Sequence, residues 1–198
     1  MRSKFIDAPE LKKLKSSMNA DAWVPLWLSV ETGLRIGDVV TLKVTDVKAD
    51  GLHYKAQKTK KRGVASISAE LRRRLPKRGK WLFPSPYKAG EHITRQCVWS
   101  RIKAAAKRSG VDPEGVSPHS MRKIFAVELY RAKGFDAVRE ALQHANAATT
   151  EIYSFADWNT GENADKPLTR RDLRLIVQMV LEAVGDELKL LKKEKGNG

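Results

Sequence analysis

Between Val44 and Ser68 the apolar spacing of this chain changes from helical to alternating, and that switch limits the folds open to it. Leu52, Tyr54 and Ala56 alternate with His53, Lys55 and Gln57, and Val64 and Ile67 fall in a second short run. A period of two belongs to a half-buried strand. The basic segment KTKKRG between the runs then reads as the turn of an antiparallel hairpin, with Val44 and Val47 expected in a third strand.

The flanking sequence is helical. Asp7-Ala8-Pro9-Glu10 has an acid cap, an early proline and a glutamate three residues after the cap, so a helix through Leu11, Leu14 and Met18 should follow. Trp23 to Thr32 reads as a second, largely buried helix that Gly33 breaks, and Ile36 to Leu42 as a third. Beyond the hairpin, helices are expected at Glu70–Leu75, Thr94–Ser109, Pro118–Lys133, Asp136–Leu142 and Thr149–Phe155. Pro76 to Glu91 is loop-rich, with Pro84, Pro86 and Gly90. The expected fold class is therefore mainly α with a small antiparallel β-sheet that carries the lysine turn. Residues 1–158 form the expected main domain, 159–168 a polar linker, and 169–198 a C-terminal helix and basic tail. Leu173, Val177, Val180, Val184, Leu188 and Leu191 give that helix an apolar stripe to bury, either on its own body or on a neighbouring subunit.

Charge narrows the partners. The 198 residues include 38 lysines and arginines against 23 acids, a formal charge of +15, and such an excess points to a polyanion, nucleic acid first. An apolar content of 41% is that of a folded protein. No apolar run is long enough to span a bilayer, and the start, Met1-Arg2-Ser3-Lys4, does not lead into an apolar signal core. A single cysteine, Cys97, forbids an intramolecular disulfide and argues against a cysteine-based metal site. The cytoplasm, or the nucleoid within it, is the expected compartment.

Four segments carry groups suited to phosphate chemistry. HSMR places His119 and Arg122 three apart at an expected helix N-terminus behind Pro118, where both share a face beside amides that favour an anion. Taken alone, the same spacing is more often met by a helix cap and a surface charge. Arg35 follows Gly33-Leu34, with Asp38 three residues on and placed to pair with its fork. Lys58, Lys60, Lys61 and Arg62 crowd the hairpin turn, where one lysine could serve as general acid and the others bind phosphate. His144 precedes Tyr153 by nine positions. A phenol that titrates near ~10 needs a base and a positive site to attack phosphorus.

In this order, TGLRIGDVVTLKVTDV, KTKKRGV, HSMR and LQHANAATTEIY resemble the boxes of the tyrosine recombinase, or phage integrase, catalytic domain, from about Asp7 to Phe155. The resemblance implies Arg35, Lys58, His119, Arg122, His144 and Tyr153 as catalytic residues and Asp38 as a supporting acid. It implies site-specific recombination of double-stranded DNA through a 3′-phosphotyrosyl intermediate, without metal or other cofactor, by homo-oligomers that pair sites as a synaptic tetramer. It also implies a C-terminal segment that docks in trans. Gln143, Lys123 and Ser66 depart from residues common in the family, and none of the three removes a catalytic group. The first-arginine helix comes so early that no separate N-terminal core-binding domain is expected. Two other readings share the boxes: a relaxing enzyme of the type IB topoisomerase kind, and a noncatalytic DNA-binding regulator derived from a recombinase.

Overall fold

Capping chemistry starts most of the helices where the sequence offers it. In the computed structural model, which describes residues 3–133 and 135–142, helix α1 spans Ala8–Ser16, and the Asp7 carboxylate accepts the Glu10 N–H at 2.8 Å. Helix α2 spans Ala20–Thr32, three residues earlier than its apolar pattern suggests. The reason is Asn19, whose side-chain oxygen accepts the Ala22 N–H at 2.7 Å and nucleates the first turn ahead of Trp23. Trp23, Val24, Leu26 and Leu28 are all buried, so α2 is enclosed on most sides as its composition requires. It ends at Gly33, whose φ of 67° is a left-handed conformation natural to glycine.

Helix α3 is short, Ile36–Val40. The third strand begins later than Val44. Residues Val44–Asp46 form a 3₁₀ turn, because the Asp46 carboxylate folds back to accept the Lys43 N–H at 2.7 Å, and only Val47–Lys48 remain as β1. Strands β2, Gly51–Lys55, and β3, Arg62–Ala65, follow, in the antiparallel order β1-β2-β3. Leu52 faces Ala65 and Lys55 faces Arg62, which puts residues 56–61 at the hairpin tip.

Helix α4, Ala69–Arg74, starts at Ser68 and α5, Arg95–Ser109, at Thr94, each through a side-chain hydroxyl cap. Between them lies the expected loop, joined to the body by an isolated bridge from Trp81 to Lys43. Helix α6 covers Pro118–Lys133 and α7 Phe135–Leu142, matching the bounds expected for α6 and beginning one residue early for α7. Leu14, Leu26, Leu28, Val39, Leu52, Leu71, Val98, Ile102 and Met121 belong to one buried cluster that joins α1–α6 and β2. The chain divides into two compact units, residues 1–128 and 129–198. The expected helices at 149–155 and 169–192 lie outside the described residues. Among the described residues no helix is long and apolar enough to cross a membrane.

Candidate active site

The end of α2 is wrapped by its own hydroxyls. Ser29 Oγ donates to the Leu34 carbonyl at 2.8 Å, and Thr32 Oγ1 accepts the Leu34 N–H at 3.3 Å, with both side chains buried. This fixes the two residues that deliver Arg35. Arg35 itself is the N-cap of α3, with extended backbone (ψ 142°) and a half-buried side chain.

Asp38 does not perform the pairing expected of it. Among the described residues no ion pair joins it to Arg35. Its buried carboxylate, 6% exposed, accepts the backbone N–H of Gln57 at 2.9 Å through Oδ1. The spacing of three implies a shared face only within a helix, and Arg35 stands outside the helical conformation. The acid of the first-arginine box thus holds the lysine turn.

At the start of α6, Ser117 and Ser120 cap each other's segment. Ser117 Oγ accepts the His119 N–H at 3.2 Å, and Ser120 Oγ accepts the Ser117 N–H at 3.3 Å, with Pro118 in the first turn. One turn in, the Arg122 side chain is 4% exposed and its Nη1 donates to the carbonyl of Gly33. That bond ties residues 89 positions apart and brings the two arginine boxes together. Burial, then the positive charges of Arg122, Arg35 and Lys123, hold the His119 imidazole below its ordinary value of 6.5. The residue as a whole still reaches solvent. It is therefore neutral at pH 7 and able to accept a proton.

These groups meet in a cleft of about 580 Å³ whose lining includes Arg35, Asp38, Lys58, His119 and Arg122. The turn contributes Lys58 to the lining, while Lys60, Lys61 and Arg62 are exposed outside it. Lys60 takes the left-handed conformation, φ 58°, as the turn closes with the Lys60 N–H on the Ala56 carbonyl at 2.8 Å. Helix α5 adds Arg95, Gln96 and Trp99, which the sequence reading missed. A signal existed: Arg95 and Trp99 lie four apart behind the Thr94 cap, an arginine and an exposed tryptophan on one helical face. His144 and Tyr153 lie outside the described residues.

The electrostatics suit a phosphodiester. Asp38 is the one acid in the described lining, and its Oδ1 is taken up by a main-chain donor. What remains in the described lining is three guanidiniums, those of Arg35, Arg95 and Arg122, with the Lys58 ammonium and a neutral imidazole. Such a set can neutralise nonbridging oxygens, donate to a leaving oxygen and accept a proton. A second hollow of about 780 Å³, across Trp99 between α5 and residues 112–114, has no such convergence. There Lys103 Nζ is already donating to the carbonyls of Pro113 and Glu114.

Residues 4–160 match the phage integrase family. The chain belongs to that family. Among integrase-family relatives, it is 33% identical over 136 residues to the tyrosine recombinase XerD of Rhizobium meliloti, covering 62% of this chain and 43% of the relative. It is 30% identical over 176 residues to XerD of Listeria monocytogenes serotype 4b, covering 76% and 57%. The chain thus spans about half the length of the curated relatives it matches. Its fold is that of solved integrases. The catalytic domain of bacteriophage HP1 integrase superposes with a TM-score of 0.63 at 23% identity, over 85% of this chain and 98% of that one. Lambda integrase bound to DNA gives 0.67 at 21% identity, over 86% and 65%.

Proposed function

We propose that this chain cleaves and rejoins DNA in a site-specific recombination reaction. The observation that supports this most is the convergence of Arg35, Lys58, His119 and Arg122, from three segments distant in sequence, on one cleft. In this reading Arg35 and Arg122 hold the nonbridging oxygens of a phosphodiester and stabilise the charge that gathers there in the transition state. The Tyr153 oxygen attacks phosphorus in line, with His119 taking its proton. The bond to the 5′-oxygen breaks as Lys58 protonates it, leaving a 3′-phosphotyrosyl link and a free 5′-hydroxyl. His144 hydrogen-bonds the phosphate. A 5′-hydroxyl from a partner duplex reverses the step and exchanges strands. Bond energy is retained throughout, so no nucleotide is consumed.

The partner in this reading is double-stranded DNA, engaged by several copies of the chain. Support comes from relatives of the same fold, solved as a lambda integrase dimer on a core site and as a tetramer on a Holliday junction. The formal charge of +15 agrees with a DNA partner, and such work would be done at the nucleoid.

The test is covalent capture. A pool of nicked duplexes with random sequence at the nick is incubated with the protein in EDTA, and adducts that survive denaturation are recovered and sequenced. Enrichment of one site, linked through Tyr153 at a 3′-phosphate, is the expected result. Failure to trap any member, with DNA binding intact, would overturn the reading in favour of a noncatalytic regulator.

A further inference from the structure

We propose that Gln57 is a positioning residue that sets where Lys58 stands in the cleft. The inference rests on the reading of Lys58 as general acid. Gln57 directly precedes Lys58 at the hairpin tip, where the turn's own closure includes two main-chain bonds between Ala56 and residues 60 and 61. Those bonds shape the turn without orienting it against the rest of the cleft. Orientation comes from Gln57. Its main-chain N–H reaches Asp38 Oδ1 at 2.9 Å, and its side-chain Nε2 donates to the Gly37 carbonyl at 3.0 Å and to Thr41 Oγ1 at 3.1 Å. All three acceptors belong to α3 or its C-cap, the helix that Arg35 opens. The lysine turn and the first arginine are therefore referred to the same single turn of helix.

Gln57 lines the cleft, yet it is not built to touch phosphate. An amide has two N–H donors, and both are spent on α3, so what it can still offer is a carbonyl oxygen that an anion avoids. The Gly37 carbonyl accepts only, which fixes the amide nitrogen as the atom facing it. An exposed glutamine held merely for stability would give a different signature from one that aims its neighbour, and the general-acid step separates the two.

The experiment uses the full chain and a duplex obtained by covalent capture, prepared with either an ordinary or a 5′-bridging phosphorothioate linkage. A thiolate leaves without a proton, so the sulfur substrate removes the need for Lys58. Gln57→Ala should slow cleavage of the oxygen substrate roughly tenfold, the worth of about two neutral hydrogen bonds lost from exposed positions. It should cleave the sulfur substrate at the wild-type rate. Thr41→Val, which removes one of the two acceptors, should show the same split at smaller size, and Thr41→Ser should restore the wild-type pattern. Equal slowing on both substrates, or no slowing on either, overturns the proposal. Lys58→Ala is run beside them. If sulfur rescues Lys58→Ala and Gln57→Ala behaves as wild type, Gln57 alone is misread; if sulfur fails to rescue Lys58→Ala, the assignment of Lys58 falls and this inference with it.

Discussion

Asp38 offers a quantitative test of how the two boxes are joined. Its carboxylate is 6% exposed and accepts one main-chain N–H, that of Gln57, at 2.9 Å. A hydrogen bond to a charged group contributes roughly 1.5–3 kcal/mol, and a neutral one about half as much. Asp38→Ala should therefore lower stability by about 2 kcal/mol, through loss of the bond and an N–H left without its acceptor. Asp38→Asn keeps a side-chain oxygen in place and should lose only about 1 kcal/mol. For a chain of this size, that corresponds to a fall in Tm of about 4–8 °C for alanine and about 2–4 °C for asparagine. Amide exchange at Gln57 locates the effect: local opening should become easier by about 30-fold in the alanine variant, since about 1.4 kcal/mol is a factor of ten. Had the carboxylate served to hold the Arg35 guanidinium, removal of charge alone would be as damaging as truncation. Equal losses for Asp38→Asn and Asp38→Ala, with Gln57 exchange unchanged, would refute the reasoning.

Three further outcomes are expected. Tyr153→Phe removes one oxygen, so denaturing gels should show no covalent adduct while DNA affinity stays within a few-fold of wild type. Lys60 holds a φ of 58°, a conformation that costs a residue with a Cβ about 1–2 kcal/mol; Lys60→Gly should match or slightly exceed wild type in urea midpoint, whereas Lys60→Val should fall below it. His119 is held below 6.5, so the acid limb of the cleavage rate should lie below that pH, where the neutral imidazole is lost. The sign for stability is the same: because the folded state resists protonation of His119, its contribution is complete above 6.5 and is lost as pH falls through the lowered value, which melts across that window would follow.

The local chemistry of this chain is legible in its sequence, and the assembly of its cleft less so. Asp7, Ser68 and Thr94 each start a helix by a bond to a residue three positions on, an interaction that spacing along the chain describes completely. The hairpin follows in the same way from the alternation around Leu52 and Tyr54. Val44 shows where that stops: its apolar character fits a strand, yet a carboxylate two residues later bends the main chain into a turn. Of the site residues, Arg35, Lys58, His119 and Arg122 were visible as motifs, but the partners of Asp38 and Gln57 lie 19 residues apart with no periodic relation to reveal them. Arg95, Gln96 and Trp99 were passed over because an amphipathic helix presents many such faces, and only packing decides which of them borders a cleft.

The bond from Arg122 to the Gly33 carbonyl sets a ruler inside the domain. One guanidinium is anchored to the main chain at Gly33, and the other departs from it at Arg35, two peptide units further on. The distance from that anchor to the Arg35 main chain is then a matter of covalent geometry, stiffened by Ser29 and Thr32, more than of how α6 happens to settle on α2. Small displacements of that helix are absorbed along the flexible stem of Arg122 before they reach its charged end. Variation elsewhere in the core can accordingly accumulate without altering that spacing, while a change at Gly33, Ser29 or Thr32, none of which carries a charge, would alter it directly.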